Sequence, residues 1–326
     1  MLVLARDDVE RLIDPDRLRQ AVAGAMADLS AGRASMPARI AALVPEREGL
    51  LAAMPAFLPS AGALTTKLVS LFPRNTDRPT HQAVIVVFDP DHGTPVALMD
   101  GEAITAARTA AGSALATDLL ARKDAKSLVI VGTGVQARAH LRAVSRVRKF
   151  GSIGIAGRDV EKAKALAREF AGGNSREAGA YASIEKAVRE ADVICACTHS
   201  PEPVVRREWL REGAHVNSVG YNIAGREVDG ATFRDALVVV ESRAATLAPP
   251  PAGSNDIAMA IAEGAMKRDG VHAELGELVS GTRPGRTDAK QITLYKSVGV
   301  AVQDAAAAAM VLEAARRQGA GRTIEL

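Results

Sequence analysis

The sequence predicts an α/β protein in which a doubly wound parallel sheet is joined to a separate α+β region. With 326 residues, the chain has room for roughly two domains of ~150 residues. Its hydrophobic fraction of 48% and its charged fraction of 24% are typical of a globular protein. From Lys126 onward, short apolar runs alternate with helical patterns, which is the arrangement of a parallel sheet with crossover helices.

The first region is predicted to begin with helices and to continue as an antiparallel sheet. Helical patterns cover LVLARDDVERLI and DPDRLRQAVAGAMADLSAG, with Asp14 or Asp16 as the N-cap and Gly32 as the stop. The Ala-rich segment EAITAARTAAGSALATDLLA is a predicted long helix, and PDHG is a predicted hairpin turn. Between them, short apolar or alternating runs are typical of antiparallel strands: ARIAALVPE, GLLAAMPAF, ALTTKLVSLF and HQAVIVVFDPDHGTPVALMD.

The second region is predicted to form the parallel sheet. Its strands are SLVIVGTG, SIGIAGR, DVICACT, HVNSVG and ALVVVES, separated in part by helical segments such as VQARAHLRAVSRV and DVEKAKALAREFAG. From Gln291, the chain is predicted to form one long helix that ends near Gly319 and packs back on the first region. We therefore assign 1–118 and 300–326 to the α+β domain and 119–299 to the parallel-sheet domain.

Charge and composition exclude several classes of partner. The net charge is +3 from 41 basic and 38 acidic residues, without a long Lys/Arg block, so nucleic acid is not expected. No apolar run approaches the ~18 residues that span a bilayer, and the amino terminus lacks a signal-peptide pattern. We therefore expect a cytoplasmic protein without a membrane partner. Cys195 and Cys197 are expected in a core strand, and the scattered histidines predict no metal site.

A glycine-containing turn predicts a dinucleotide site. In VIVGTGVQA, Gly132 and Gly134 lie between the first strand of the alternating region and its helix. The first glycine permits a tight turn, and the second lets the backbone approach a pyrophosphate at the helix N-terminus. The third glycine of the usual pattern is replaced by Ala137, and a purely structural turn is the alternative. The order of strand, glycines, helix and second strand favours a Rossmann-type domain.

The residue after the second strand indicates which dinucleotide is preferred. An Asp or Glu about 20 residues after the glycines binds the ribose 2′-hydroxyl of NAD. Here Arg158 occupies that place, and a guanidinium attracts a 2′-phosphate, so NADP(H) is favoured over NAD(H). The alternative is a solvated Arg158 at a helix start, with Asp159 as the N-cap or as the ribose ligand.

Several long segments together carry a resemblance to one family: TTKLVSLFP, VIVVFDPDHGTPVALMDGEAITAARTAA, VIVGTGVQARAH, HVNSVGYNIAGREVD, and ELGELVSG followed by QITLYKSVGVAVQD. Through them the chain resembles the ornithine cyclodeaminase/mu-crystallin family over nearly its whole length. The resemblance implies a dinucleotide-binding domain and a substrate-binding domain whose sheet forms a homodimer. Members include ornithine cyclodeaminases, archaeal-type alanine dehydrogenases and reductases of cyclic or linear imino acids.

The resemblance also implies roles for single residues. Lys67 matches the active-site lysine. A lysine half-buried on a strand has a lowered pKa and exchanges protons, whereas a snorkelling surface lysine is the alternative. Arg39 and Arg108 match the arginines that bind the substrate carboxylate, a group that suits a planar guanidinium. The remaining predicted contacts are Val298 on the substrate side and, on the cofactor side, Thr80, Arg108, Gly132, Gly134, Val135, Gln136, Arg158, Thr198, Val219, Gly220 and Ser297.

One position departs from the family pattern. Ornithine cyclodeaminases and alanine dehydrogenases carry an Asp two residues after the glycine of the VNSVG motif, where this chain has Asn222 after Tyr221. Asn222 can orient a ligand but cannot exchange a proton, unless it is simply a turn residue that faces away. Reduction of an existing C=N bond requires only a hydride donor, a carboxylate clamp and one proton source.

The sequence therefore predicts an NAD(P)H-dependent reductase of a small 2-imino acid, either a cyclic ketimine or a linear imine, that gives an L-amino acid. Lys67 and Asn222 are its predicted catalytic residues. The alternatives are an ornithine cyclodeaminase, which converts ornithine to proline and ammonia with bound NAD, and an amino acid dehydrogenase resembling alanine dehydrogenase. A non-catalytic, crystallin-like NADP-binding protein is a third, against which the retention of Lys67 and both arginines argues.

Overall fold

A computed structural model describes residues 1–172 and 177–325 of the chain. Its contacts divide the chain into unit 1, Met1–Arg108 with Val300–Leu326, and unit 2, Thr109–Gly299. The sequence placed the first boundary at 118/119, and both positions fall within one continuous helix, Gly101–Leu120. The first part of that helix packs within unit 1 and the rest within unit 2, so no break in the sequence marks the boundary.

The helices and strands follow one another along the chain, apart from short 3₁₀ turns at Pro45–Arg47, Pro59–Ala61 and Arg207–Trp209. Up to residue 172 they are β1 (Leu2–Leu4), α1 (Arg6–Leu12), α2 (Pro15–Ser30), β2 (Ile40–Val44), β3 (Gly49–Leu58), β4 (Ala63–Leu71), β5 (His81–Phe88), β6 (Pro95–Asp100), α3 (Gly101–Leu120), β7 (Ser127–Val131), α4 (Val135–Val144), β8 (Ser152–Ala156) and α5 (Val160–Gly172). From residue 177 they are β9 (Gly179–Tyr181), α6 (Ile184–Arg189), β10 (Val193–Ala196), β11 (His215–Ser218), α7 (Gly230–Asp235), β12 (Ala236–Val240), α8 (Arg243–Thr246), α9 (Asn255–Ala262), β13 (Ala273–Glu274), α10 (Leu275–Val279), β14 (Ile292–Lys296), α11 (Ala301–Gln318) and β15 (Arg322–Thr323).

Unit 1 contains the predicted antiparallel sheet. In the described residues its strand order is β15-β1-β6-β5-β4-β3-β2, and the strands from β6 to β2 pair antiparallel. The N-cap prediction is confirmed at Asp14, whose carboxylate accepts hydrogen bonds from the Asp16 and Arg17 amides at the start of α2. The hairpin prediction is also confirmed, because Gly93 takes a positive φ of 70° between β5 and β6.

The sheet of unit 1 has one covered face and one open face. On β3, the residues Ala52, Met54, Ala56 and Leu58 alternate as buried side chains, and α11 packs against β3 and β4. The opposite face of β3 carries Leu51, which is 49% exposed. This alternation is the period-2 pattern of a sheet with one side in a hydrophobic core.

Unit 2 is the predicted doubly wound sheet. Its described strands all pair parallel, in the order β13-β12-β14-β11-β10-β7-β8-β9. The order reverses between β7 and β10, since β8 and β9 continue on one side and β11 and β14 on the other. Ligands of such sheets bind outside the carboxyl ends of the strands at this reversal. The predicted fold class is confirmed.

Two secondary-structure predictions were wrong. The segment after Gln291 begins not as a helix but as β14, a fully buried strand between β11 and β12. A short apolar run fits a buried strand or a helix equally well, and Gly299, with φ 75°, separates it from α11. At the amino terminus, Leu2–Leu4 form β1 rather than the start of a helix. The predicted end of α11 at Gly319 and its place in unit 1 are confirmed.

Candidate functional site

In unit 1, Lys67 lies on the covered face of the sheet. β4 places it between Met54 of β3 and Ile85 of β5, and its side chain is 3% exposed. The alternative of a snorkelling surface lysine is therefore wrong. Its Nζ lies 2.8 Å from Asp304 Oδ2 and 3.5 Å from Thr105 Oγ1.

Burial and neighbouring charges make Lys67 a titratable group near neutral pH. Desolvation lowers its pKa to about 8; Asp304 opposes this shift, while the positive charges of Arg108 and Arg39 add to it. Arg39 is partly exposed and close enough to influence Lys67 electrostatically. The structure thus brings together the three unit 1 residues for which the sequence predicted substrate contacts.

Asp304 connects Lys67 and Arg108, and the sequence prediction missed it. Its second oxygen, Oδ1, accepts a hydrogen bond of 2.9 Å from Arg108 Nε, while Arg108 Nη1 donates to Gln303 Oε1 at 3.1 Å. Burial alone would raise the pKa of Asp304, but Arg108 and Lys67 hold it below its usual value. A usable signal was present: an acid in the buried Ala-rich helix α11 requires a partner.

Thr80 and His81 lie where β5 begins in unit 1. Thr80 is exposed, and its carbonyl oxygen accepts a hydrogen bond of 2.8 Å from the Phe72 amide. Burial lowers the pKa of His81 to about 4, and the charges of Lys67 and Arg108 contribute to the shift. His81 is therefore a neutral imidazole near this cluster. The sequence prediction passed over it because the histidines form no recognisable pattern.

In unit 2, the turn between β7 and α4 has the features that a pyrophosphate requires. Gly132 has a φ of +125°, and a Cβ there would lie 2.6 Å from the Cys197 carbonyl oxygen, so only glycine fits. At Gly134, the N-cap of α4, a Cβ would meet no described atom within 4 Å, and no side chain caps the helix. Val135 is 65% exposed, and the buried Gln136 Oε1 lacks a hydrogen-bond partner among the described residues. An open, uncapped helix N-terminus fits a dinucleotide phosphate.

Arg158 follows β8 and is exposed, without a hydrogen-bond or ion-pair partner among the described residues. The neighbouring Asp159 is the N-cap of α5, because its Oδ1 accepts hydrogen bonds from the Glu161 and Lys162 amides at 2.9 and 3.2 Å. The acid next to Arg158 is therefore already used by the helix.

The remaining predicted residues of unit 2 follow the carboxyl ends of three strands. Thr198 comes after β10, while Val219 and Gly220 come after β11. Ser297 and Val298 come after β14, where the buried Glu241 carboxylate accepts hydrogen bonds from Ser297 Oγ at 2.9 Å and from the Val298 amide at 2.8 Å. These residues therefore all lie at the carboxyl ends of the parallel strands.

Asn222 has the geometry of a turn residue. Its Nδ2 donates to the His199 carbonyl at 2.9 Å, and its Oδ1 accepts from the Ala224 amide at 2.8 Å. Both ends of the side-chain amide are thus occupied within the loop, so its catalytic role remains a prediction. The Tyr221 hydroxyl is buried without a hydrogen-bond partner among the described residues, and burial raises its pKa.

One group of side chains could be mistaken for a metal site. Asp89, Asp91 and His92 place their ligand atoms within 4.8 Å of one another on the β5–β6 hairpin. Asp89 Oδ1 already accepts hydrogen bonds from the Asp91 and His92 amides, which is ordinary turn chemistry. We therefore assign no metal to this hairpin.

Separately, no helix in the described part of the chain is long and apolar enough to cross a membrane.

Comparison with known proteins decides which family this fold and these residues represent. The model of the ornithine cyclodeaminase/mu-crystallin family matches residues 1–319. The chain belongs to this family. The ketimine reductase mu-crystallin of Mus musculus is 37% identical over 285 residues, which cover 86% of this chain and 86% of that protein.

Solved structures show the same relationship. One is Thermococcus litoralis Delta(1)-pyrroline-2-carboxylate reductase, solved in complex with NADH and L-proline. It is 39% identical to this chain with a TM-score of 0.94, and the superposed region covers 99% of this chain and 100% of that chain. An archaeal alanine dehydrogenase dimer with bound NAD is 32% identical with a TM-score of 0.91, covering 100% of this chain and 99% of its own. The resemblance stated from the motifs is confirmed.

Proposed function

We propose that the chain is an NAD(P)H-dependent reductase that converts a small 2-imino acid, cyclic or linear, into an L-amino acid. The observation that carries the proposal is the buried cluster of unit 1, in which Asp304 holds Lys67 and Arg108. It combines a proton donor whose pKa is lowered to about 8 with guanidinium groups suited to a carboxylate. The relatives named above include a ketimine reductase and a pyrroline-2-carboxylate reductase, which supports the same reaction.

The arginines bind the substrate carboxylate in this proposal. Arg108 uses its Nε and one Nη1 hydrogen on Asp304 and Gln303, and no described residue bonds to its Nη2. A guanidinium carries five N–H donors, so donors remain for a carboxylate. Arg39 adds a second positive charge near Lys67. An anionic substrate is thereby held with its carbon–nitrogen double bond close to the ammonium group.

Lys67 supplies the proton to the imine nitrogen. Desolvation weakens its hold on that proton, and the Asp304 carboxylate keeps it protonated up to a pH of about 8. When bound, NAD(P)H supplies the hydride to the imine carbon. Asp304 fixes the position of Nζ at 2.8 Å, so the donor does not have to be ordered during the reaction.

Unit 2 binds the dinucleotide, with its pyrophosphate at the N-terminus of α4 between Gly132 and Gln136. We further propose that NADPH is preferred over NADH. The exposed guanidinium of Arg158 supports this preference, as does the use of Asp159 as a helix cap rather than as a free acid. Thr198, Val219, Gly220 and Ser297 line the cofactor side.

The open face of the unit 1 sheet supports a homodimer. Leu51 of β3 and Val84 of β5 are 49% and 41% exposed on this face. Leu68 of β4 pairs with Val84 on one side and, on the other, with Ala53, which lies two residues along β3 from Leu51. Contiguous apolar surface of this kind marks a protein–protein contact.

A cytoplasmic location is part of the proposal as well, since Cys195 and Cys197 are free thiols and the reaction uses a reduced dinucleotide.

A panel of imino acids tests the proposal. Cyclic imines, and keto acids mixed with ammonia or methylamine, are assayed with NADPH and with NADH; amino acids with NADP⁺ test the reverse direction. We expect NADPH oxidation with at least one 2-imino acid and none with the corresponding keto acid alone. Ornithine-dependent ammonia release with catalytic NAD would instead indicate a cyclodeaminase. Dinucleotide binding without turnover of any compound would indicate a crystallin-like protein.

A further inference from the structure

A buried carboxylate in unit 2, Glu227, joins the ends of two neighbouring strands. Its Oε1 accepts hydrogen bonds from the Thr198 amide at 2.5 Å and from Thr198 Oγ1 at 2.7 Å. Its Oε2 accepts from the Gly220 amide at 2.7 Å and from Ser218 Oγ at 3.0 Å. Because β10 and β11 are adjacent parallel strands, a single side chain spans both segments that follow them.

Glu227 is part of a buried network that includes the charged side chains of Lys296 and Asp256. Lys296, only 1% exposed, directs its ammonium group to Asp256 Oδ2 at 3.1 Å, Ser218 Oγ at 3.1 Å and the Gly220 carbonyl at 2.9 Å. Asp256 Oδ1 in turn accepts a hydrogen bond of 3.0 Å from the Glu227 amide. Burial raises the pKa of Glu227; Lys296 opposes that shift, and the negative charge of Asp256 adds to it. Both the backbone and the side chain of Glu227 are therefore held in place.

The packing around this carboxylate leaves no spare room. A Cβ on Gly220 would collide with the Thr198 carbonyl oxygen and with Glu227 Oε1. The two segments approach each other as closely as a glycine permits, and the carboxylate lies against both. A small displacement of Glu227 would change the spacing between them.

We propose that Glu227 is a positioning residue that sets the distance between Thr198 and Gly220, and through them the orientation of the nicotinamide end of the dinucleotide. This rests on the proposed function, in which Thr198, Val219 and Gly220 line the cofactor. In this proposal Glu227 acts through these two segments and not by direct contact with cofactor or substrate. Its four accepted hydrogen bonds hold both segments before a ligand arrives.

The test compares E227Q with a matched control variant at the amino ends of the strands of the same sheet, opposite the carboxyl ends where Glu227 binds. Glutamine keeps the shape, but its NH₂ group faces an N–H donor, so one segment loses its acceptor. The control is D192N: the Asp192 carboxylate also accepts from two backbone amides, Lys126 at 2.8 Å and Ser127 at 3.1 Å, but before β7 rather than after the strands.

Three quantities are measured in both variants: amide hydrogen exchange at 196–200 and 218–221 without dinucleotide, the Kd of NADPH, and kcat with KM for the imino acid. For E227Q we expect exchange of these amides to rise at least about tenfold. We also expect kcat to fall about 10- to 100-fold, with KM for the imino acid unchanged. D192N should lower the thermal midpoint without changing kcat or exchange at these amides.

The proposal is overturned if E227Q keeps wild-type kcat and exchange, or if both variants lower kcat equally. Should E227Q fail to fold, E227D is measured instead: its carboxylate is one methylene shorter, so the same exchange and kcat changes are expected, and wild-type values would reject the proposal. If the wild type reduces no imine, the proposed function fails, while exchange and NADPH affinity still report on Glu227.

Discussion

Lys67 and Arg108 are two buried cations that share one carboxylate, that of Asp304. Lys67 and Arg108 are 3% and 4% exposed, so water screens their charges little. A buried excess of positive charge is costly unless an anion completes it. In the proposed function, the carboxylate of the imino acid provides that anion, so we expect an acidic substrate to bind better than a neutral one.

The pH dependence of reduction tests the role given to Lys67. The wild type should lose kcat as pH rises through about 8, because Lys67 then loses the proton that it donates. Asp304→Asn removes the charge that raises the pKa of Lys67, so the alkaline limb of the kcat profile should move to lower pH. Lys67→Ala is the control: we expect it to bind NADPH normally, to lose about 10²–10⁴-fold in kcat and to lack this limb. An Asp304→Asn profile that overlays the wild type would contradict the role.

The preference for NADPH over NADH is assigned to a single side chain, that of Arg158. The wild type should bind NADPH about 10- to 100-fold more tightly than NADH, since Arg158 adds a charge-assisted hydrogen bond to the 2′-phosphate. Arg158→Asp should reverse the order by repelling the phosphate and accepting from the ribose hydroxyl. Arg168→Asp on the exposed side of α5 makes the same change of charge and should leave the ratio alone. Fluorescence titration gives both dissociation constants; equal affinities in the wild type would rule out the preference.

At the scale of elements, the two glycines of the turn from β7 into α4 differ in what requires them. Gly132 is required by its backbone angle and by the nearby Cys197 carbonyl, whereas Gly134 has an ordinary φ of −86° and open space around it. The first glycine therefore serves the fold. The fold does not require the second, which supports its proposed role in dinucleotide binding.

Gly134→Ala should consequently keep the thermal midpoint of the wild type while weakening NADPH binding at least about tenfold, because its methyl group lies where the pyrophosphate approaches. Gly24→Ala in α2 is the control, as its Cβ also meets open space but far along the chain from the turn. It should leave the affinity unchanged. A Gly134→Ala protein with wild-type affinity would argue against a dinucleotide at this turn.

Elements whose sequence carries its own signal were predictable. The glycine turn, the capped helices and the alternating strands of unit 1 depend on local patterns, and the structure contains them. β14 was not predictable, since ITLYK fits a buried strand and a helix alike until its neighbours β11 and β12 are known.

The candidate site was predictable only in part. Lys67, Arg39 and Arg108 were singled out through resemblance, because each alone looks like an ordinary cation. The carboxylates Asp304 and Glu227 were missed, since what gives them meaning is contact with residues far away in the chain. Such contacts leave no periodic trace in the sequence.

At the scale of the whole molecule, the open face of the unit 1 sheet predicts the assembly. Leu51→Asp should convert a dimer into a monomer in sedimentation equilibrium, because it places a charge in the middle of an apolar contact. Ile223→Asp, at a 71% exposed position of unit 2, should leave the mass unchanged. A wild-type chain that sediments as a monomer at micromolar concentration would disprove the dimer.

In the proposed function, residues of unit 1 bind the substrate carboxylate and supply the proton, and residues of unit 2 bind the dinucleotide. The family match spans both, from residue 1 to residue 319. The most direct test is therefore the steady-state rate of NADPH oxidation by the intact wild type with Delta(1)-pyrroline-2-carboxylate, compared with ammonia release from ornithine in the presence of catalytic NAD. The account predicts saturable reduction of the imine, with L-proline as product, and no measurable ammonia. Robust ammonia release from ornithine, with proline formed in equal amount, would contradict it.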